Sequence, residues 1–241
     1  MNKVNKMIDL VKALCCSTRD ERREIIKRRI SQLGLPLKVQ EYGQLTNLLT
    51  EVRGKDQTDS VLISAHYDVH PNCGKFGGAY DNLAGVAVSL ELLEYFSKKD
   101  PDYDLKFAFF DGEESGQKGS LYFLGKLSLQ ERSRLMLHLN IDGIGVGDRL
   151  AEESEFPVAV YITDSLAFKG YGIPSKHYFT LSLEDFDQLK SGILPKLTEK
   201  IHTPKDNFSL IEEKSLDMAR TGLIDIIENV RRKNGTVRKN I

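Results

Sequence analysis

Two adjacent acidic residues, Glu113 and Glu114, follow an apolar segment in the stretch FFDGEESGQKGS, residues 109–120. Side by side, each carboxylate raises the free energy of ionising the other. A bound cation would relieve this repulsion. The pair therefore predicts that other parts of the chain supply ligands for a metal ion.

Histidine and acidic side chains recur in similar places, after apolar segments or in loops that contain glycine or proline. They are His66 and Asp68 in LISAHYD, Asp81 in GGAYDNLAG, Asp142 in LNIDG and His202 in KIHTPKDN. This set offers imidazole and carboxylate ligands but no thiolate. Such a set suits zinc or a similar divalent ion.

Helix and strand patterns alternate around these motifs. Buried strands are predicted over residues 60–68, 104–114, 135–145 and 156–163, and strand character extends over 37–52. Helices are predicted near the N-terminus and over 18–34, 84–99 and 209–235. Capping boxes are expected at two helix starts, Thr18 with Glu21 and Ser209 with Glu212.

The alternation predicts an α/β fold: a single doubly wound domain over residues 1–241, with a mixed, mostly parallel central sheet flanked by helices. In such sheets, functional groups gather at the carboxyl ends of the strands. The histidine and acidic residues above lie at these ends or in the following loops. We therefore expect them to meet at one edge of the sheet.

Composition excludes several classes of function. The net charge is −1, with 34 basic and 35 acidic residues, so the chain offers no general attraction for nucleic acid or an anionic membrane. No apolar segment approaches the roughly 18 residues that span a bilayer. The N-terminal segment is interpreted as a helix of the mature protein. Three cysteines do not make a disulfide framework and favour a cytoplasmic location.

The ordered motifs HYD, GAYDN, DGEE, NIDG and IHTPKDN resemble those of the di-zinc aminopeptidases of the zinc-dependent exopeptidase superfamily. That group includes bacterial leucyl aminopeptidase-like enzymes and glutamate carboxypeptidase II-like catalytic domains. The resemblance extends from about residue 60 to about residue 210. Five motifs in the same order are far more specific than a single H-x-D.

The resemblance implies two divalent metal ions, zinc in the family, held by five side chains. His66 and Asp142 would bind one ion, Glu114 and His202 the other, and Asp81 would bridge them. Five protein ligands for two ions leave positions open for water, as a catalytic zinc site requires. A bridging carboxylate can hold two ions at about 3.5–4 Å.

The resemblance also implies the roles of the remaining acids. Glu113 would be the general base and acid, and Asp68 would orient the ring of His66. The expected reaction is attack of a metal-bridged hydroxide on the first peptide bond of a short peptide. Relatives hold the bond after the bridging aspartate in the cis form, so a cis bond is expected between Asp81 and Asn82.

Spacing indicates which branch of the superfamily the chain resembles. Only 15 positions separate His66 from Asp81, and 60 separate Asp142 from His202, which leaves no room for a lid or dimerisation insert. Glutaminyl cyclases use one zinc ion and pocket tryptophans. This chain has no tryptophan, and Ile201 precedes the last histidine. The cyclase is therefore the alternative enzyme.

Ile201 also departs from aminopeptidases that place a tyrosine before the last histidine. The metals or another donor, such as Tyr171 or Tyr178, would then stabilise the oxyanion. Loops 146–156 and 179–195 are expected to contribute pocket walls. A non-catalytic binding module of the same fold is the alternative from another class, and the oligomeric state is open.

Other candidate residues are interpreted as structural. Pro71 and the strand-and-turn context argue against His70 as an additional ligand. His138 and His177 are predicted to be core or surface histidines, and Cys73 lacks the acid partner that a nucleophile needs. GIGVGD lacks the spacing of a dinucleotide-binding loop.

Overall fold

A seven-stranded mixed sheet forms the centre of the protein. The computed structural model describes residues 7–157 and 162–230. The strands are β1 (Lys38–Tyr42), β2 (Leu45–Val52), β3 (Asp56–His66), β4 (Tyr103–Phe110), β5 (Leu135–Ile141), β6 (Arg149–Glu152) and β7 (Ser175–Leu181). Their order in the sheet is β1-β2-β4-β3-β5-β7-β6.

Four neighbouring strands, β4, β3, β5 and β7, run parallel to one another. Antiparallel pairs extend the sheet at both edges, β1 and β2 beyond β4, and β6 beyond β7. The predicted α/β fold with a mixed, mostly parallel sheet is confirmed. Its extent as a single domain without an insert stays a prediction.

Helices cover both faces of the sheet. They are α1 (Met7–Cys15), α2 (Arg19–Gln32), α3 (Ala84–Phe96), α4 (Lys118–Lys126), α5 (Leu129–Arg134), α6 (Asp164–Gly170), α7 (Leu183–Lys190) and α8 (Glu213–Glu228). Alternating residues of β3 join different apolar clusters: Val61 and Ile63 pack with α1, α3 and α8, and Leu62 packs with α4 and α6. Over the described ranges, no helix combines the length and apolarity needed to cross a bilayer.

The two predicted capping boxes have different outcomes. At α2 the box is confirmed, because Thr18 Oγ1 accepts the Glu21 N–H and Glu21 accepts the Thr18 N–H. At α8 the prediction is wrong. The N–H and hydroxyl of Ser209 both donate to Asn207 Oδ1 in a separate short turn, and α8 begins only at Glu213.

Two features of the sheet differ from the sequence prediction. The segment 37–52 forms two strands joined by a turn at Gly43, whose φ of 60° lies in the left-handed region. Strands β6 and β7 carry polar residues between their apolar ones and were not predicted. Of the predicted strand 156–163, residues 158–161 lie outside the described residues, and 156–157 and 162–163 are not part of a strand.

The parallel strands bring the predicted site residues to one edge of the sheet. His66 ends β3, Glu113 and Glu114 follow β4, and Asp142 follows β5. The loop that carries Asp81 leads into α3. These positions confirm the expectation that the motifs meet where the parallel strands end.

Gly85 in the first turn of α3 lets this helix approach the end of β5. A Cβ atom there would lie 2.0 Å from Asn82 Oδ1 and 2.8 Å from the Ile141 carbonyl oxygen. Asn82 and Ile141 are also hydrogen-bonded to each other, since Asn82 Nδ2 donates to the Ile141 carbonyl at 2.8 Å. A side chain at Gly85 would therefore push apart the segments that carry Asp81 and Asp142.

We predict that Gly85→Ala lowers the free energy of unfolding by about 1–3 kcal/mol, the usual cost of overpacking a tight site. Gly125→Ala is the matched control, because a Cβ atom at this position of α4 meets nothing within 4 Å. The control should be neutral or slightly stabilising, since alanine favours a helix over glycine. Urea unfolding measures both; equal stability of the two variants would contradict the prediction.

Candidate metal centre

Three predicted ligands meet at the ends of β3 and β5. His66 Nε2 lies 3.0 Å from Asp81 Oδ1 and 3.5 Å from Asp142 Oδ1. All three side chains are largely shielded from solvent, with exposed fractions of 1% for His66, 14% for Asp81 and 8% for Asp142. We call His66, Asp81 and Asp142 the first triad.

The other predicted ligands meet on the opposite side of the same aspartate. His202 Nε2 lies 3.2 Å from Asp81 Oδ2 and 3.0 Å from Glu114 Oε2. We call Asp81, Glu114 and His202 the second triad. Asp81 thus directs one carboxylate oxygen to each triad, which is the arrangement that a bridging ligand needs.

Asp68 connects the ends of β3 and β4. Its carboxylate oxygens accept the N–H groups of Glu113 and Glu114 at 3.1 and 3.2 Å. Its carbonyl oxygen lies 3.2 Å, and its carboxylate 3.5 Å, from His66 Nδ1. Asp68 thus contacts His66, but its carbonyl oxygen rather than the predicted carboxylate is the nearer acceptor. Its carboxylate also fixes the backbone of the adjacent glutamates.

The carboxylates of this centre are buried close to one another, so their negative charges repel. Burial and the charge of Asp142, outweighing the opposite charge of His66, raise the pKa of Glu113 to about 10. Burial and the charge of Asp81 raise the pKa of Glu114 to about 7. The carboxyl groups therefore tend to keep protons unless positive charge is supplied.

The histidines show the complementary effect. Although burial opposes its charge, neighbouring carboxylates, Asp142 foremost, raise the pKa of His66 well above its ordinary value. Burial also opposes ionisation of Asp81, but hydrogen bonds from His202 and His66 hold its pKa well below the ordinary value. Protonated imidazoles of His66 and His202 would thus place positive charge next to Asp81, where a metal ion would also place it. Neutral imidazole and carboxylate are the ligand forms, so this donor set fits divalent metal ions.

Asp206, which the sequence interpretation did not single out, holds the loop that carries Asp81. Its side chain is fully buried. One carboxylate oxygen accepts the Tyr80 N–H at 2.7 Å, and the other accepts the Asp81 N–H at 3.1 Å. Its carbonyl accepts the Gly78 N–H at 2.9 Å. Burial and the charge of Asp81 raise the pKa of Asp206 to about 6.

The peptide bond between Asp81 and Asn82 is cis, as the resemblance implied. The loop that carries this bond is tightly packed. Gly78 has a φ of 77°, and a Cβ atom there would lie 2.4 Å from a methyl group of Val69.

The sequence could have indicated Asp206, because this residue lies in the same IHTPKDN motif as His202.

A cavity of about 370 Å³ opens beside both triads. Its lining includes Glu113, and its remaining walls are Tyr80, Gly143, Ile162, Thr163, Thr198 and Ile201 with the ligands Asp81, Asp142 and His202. Loops 146–156 and 179–195 do not contribute described residues to this lining, so that prediction is wrong. The walls instead come from segments just before α6 and before His202.

The two tyrosines considered as oxyanion donors lie elsewhere. Tyr178 is buried in β7 beside Glu152, and Tyr171 packs under the guanidinium of Arg132 at 4.8 Å. Neither belongs to the cavity lining. Tyr80 does line it, but its hydroxyl donates to the Thr180 carbonyl at 2.9 Å.

Other histidines and Cys73 have structural surroundings. His138 is buried between the hydroxyls of Ser64 and Ser175, at 2.7 and 2.8 Å. His177 Nε2 donates to the Asp142 carbonyl at 2.9 Å and so supports the backbone of a predicted ligand. Burial raises the pKa of Cys73 to about 12, which disfavours a nucleophilic thiolate at neutral pH.

His70, which we interpreted as structural, lies against the second triad. Its ring stacks on the ring of His202, with centroids 4.4 Å apart and planes 15° apart. Its backbone N–H donates to Glu114 Oε1 at 3.1 Å. The sequence could not reveal this contact, because it depends on how loop 67–78 folds against the loop of His202.

Comparison with known proteins identifies a related family. Residues 47–155 match the sequence model of Peptidase family M28. The chain is 34% identical to the vacuolar membrane protease of Kluyveromyces lactis over 112 residues, which cover 46% of this chain and 12% of that protein. The chain thus matches only a small part of this curated relative.

Solved structures support the same fold. The aminopeptidase from Aneurinibacillus sp. strain AM-1 superimposes with a TM-score of 0.59 and 25% identity, over 78% of this chain and 47% of that one. The glutaminyl cyclase of Porphyromonas gingivalis superimposes with a TM-score of 0.76 and 18% identity, over 94% and 98%. At this lower identity, the second likeness concerns the fold alone.

We predict that Asp206→Asn weakens zinc binding by roughly 10- to 100-fold, the usual effect of removing a group that orients a metal ligand. The amide places an N–H₂ group where the loop of Asp81 needs an acceptor. Asp104→Asn is the control, because Asp104 is also buried and accepts a backbone N–H, that of Gly54, at the opposite end of β4.

Competition with a chromogenic zinc chelator measures both affinities. The Asp104 variant should bind zinc like the unaltered protein even if its stability falls. Unchanged zinc affinity in the Asp206 variant would show that the loop of Asp81 does not depend on this carboxylate.

Proposed function

We propose that the chain is a zinc-dependent aminopeptidase of peptidase family M28 that binds two metal ions and cleaves the first peptide bond of short peptides. The observation that carries this proposal is Asp81, whose two oxygens face separate ligand groups beside a cavity lined by Glu113. The family match over residues 47–155 supports the peptidase class. The likeness to the Aneurinibacillus aminopeptidase supports the exopeptidase assignment.

When bound, zinc ions at the two triads would polarise the substrate carbonyl and acidify a water molecule. The chain supplies the proton acceptor for this chemistry. Glu113 lines the cavity, and its Oε2 lies 4.0 Å from His66 Nε2 at the first triad. The positive charge of bound ions would lower its raised pKa toward neutrality, so that Glu113 can accept a proton from water and deliver it to the leaving amine.

The shape and charge of the cavity support a peptide that enters by its N-terminus. Asp81, Asp142 and Glu113 belong to its lining, and their carboxylates favour an ammonium group. Ile162 and Ile201 also line it and can contact an apolar side chain. A cavity of about 370 Å³ accommodates an amino-terminal residue and its scissile bond rather than a folded protein.

A glutaminyl cyclase is the second candidate, and the full-length likeness to the Porphyromonas gingivalis enzyme favours it. Two observations oppose it. Both triads have their ligands, whereas the cyclase alternative needs one zinc ion. The cavity wall next to His202 is Ile201, and the chain has no tryptophan to line a cyclase pocket. A non-catalytic module of the fold is disfavoured because all five ligands and Glu113 are retained.

Two further parts of the proposal rest on sequence reasoning. A cytoplasmic location is supported by three cysteines, all within the described ranges and none in a disulfide. A short peptide is the expected partner, while the oligomeric state stays open.

The function is tested with aminoacyl anilides, dipeptides and a peptide with N-terminal glutamine, each with and without added zinc. We expect zinc-dependent release of the N-terminal residue and about two zinc ions per chain. About one ion together with cyclisation of glutamine would establish the cyclase instead. Absence of both metal and turnover would establish the binding module.

The roles of the adjacent glutamates are tested by Glu113→Gln and Glu114→Gln. The first should leave both ions bound and reduce kcat by roughly 10²- to 10⁴-fold, because it removes a positioned acid–base group. The second should reduce bound zinc, because Glu114 contributes to the second triad. Zinc content and kcat are measured on both variants; indistinguishable zinc contents would refute this division of roles.

A further inference from the structure

The second triad contains the most exposed of the predicted ligands. The His202 side chain is 48% exposed, whereas those of Glu114 and His66 are 5% and 1% exposed. An exposed side chain loses rotamer freedom when it is fixed by a metal ion, and this loss weakens binding. The second triad therefore benefits from any neighbouring group that holds the imidazole of His202 in place beforehand.

His70 contacts both non-bridging ligands of this triad through different parts of the residue. Its ring stacks nearly parallel on His202, at a centroid distance of 4.4 Å. Its backbone N–H donates to Glu114 Oε1 at 3.1 Å, while Glu114 Oε2 faces His202 Nε2 at 3.0 Å. One carboxylate oxygen is thus held by the protein, and the other is directed to the triad.

The His70 ring is itself restrained. His70 precedes the short turn Pro71–Cys73, and its Nδ1 accepts the N–H of Asn72 at 3.3 Å. The proline fixes the backbone immediately after His70. The ring therefore provides an ordered surface for His202.

Direct coordination by His70 is the competing role, because ligating atoms of His70, Glu114 and His202 lie within 4.8 Å of one another. Two features oppose it. Lone pairs of imidazole lie in the ring plane, so two nearly parallel rings direct them side by side rather than toward one ion. In addition, the hydrogen bond from Asn72 to Nδ1 places the proton of a neutral ring on Nε2.

We propose that His70 is a positioning residue, which holds His202 by stacking and Glu114 by its backbone N–H, and so raises the metal affinity of the second triad. This inference rests on the proposed metal site. The two triads are then held in place in different ways. The first is held by burial and by Asp68, and the second depends on a contact with the half-buried ring of His70.

The test compares His70→Ala, His70→Phe and Phe76→Ala. Phenylalanine keeps an aromatic surface and the backbone N–H but cannot bind a metal ion. Phe76 is an aromatic residue of the same loop, 53% exposed, outside both triads. Metal-free protein is titrated with zinc against a chromogenic chelator, and thermal melting confirms that each variant is folded.

We expect two zinc ions in the unaltered protein. His70→Ala should weaken one of them by about 3- to 10-fold, the range that corresponds to the loss of an aromatic pair. The other ion should be unaffected. His70→Phe should remain within about 2-fold of the unaltered protein in the same titration, and Phe76→Ala should not differ from it.

Three results would overturn the inference. Equal affinities in the alanine variant and the unaltered protein would remove any role of the ring. A phenylalanine variant as weak as the alanine variant would assign direct coordination to His70 instead. An equal loss in Phe76→Ala would attribute the effect to the loop as a whole. Absence of zinc from the unaltered protein would refute the proposed metal site itself, a separate outcome.

Discussion

The two oxygens of one buried carboxylate, that of Asp81, face His66 on one side and His202 on the other. The other groups of the site are arranged around this carboxylate. A carboxylate among other carboxylates is unfavourable in a buried environment unless positive charge is close. The raised pKa values of Glu113 and Glu114 express this imbalance. Metal binding would resolve it and would leave Glu113 as a proton acceptor.

Hydrogen bonds and close packing between residues far apart in the sequence hold the site residues in this arrangement. Asp206 holds the loop of Asp81 from a position 125 residues further along the chain. Asp68 fixes the glutamates after β4, and Gly85 allows α3 to approach β5. Each connection joins the ends of elements that the parallel sheet already aligns. The sheet thus sets the approximate positions, and these hydrogen bonds set the orientations.

The sequence was sufficient to predict which histidine and acidic side chains meet, because each lies in a motif at the end of a strand or in a loop with proline or glycine. His66 and Asp142 could be placed at one edge by the geometry of parallel strands. The grouping of these residues with Asp81 came from the family resemblance. The α8 capping box failed because Asn207 competes locally for the same Ser209 groups. His70 and the walls at Ile162 and Thr198 could not be predicted, since their contacts depend on how separate loops fold together.

Diffraction data collected at the zinc absorption edge from crystals of the zinc-loaded protein test the bridging role of Asp81 most directly. We expect two anomalous peaks about 3.5–4 Å apart, one next to each oxygen of Asp81. The first peak should also contact His66 and Asp142, and the second Glu114 and His202. A single peak, or two peaks without Asp81 between them, would contradict the claim that Asp81 bridges two metal ions.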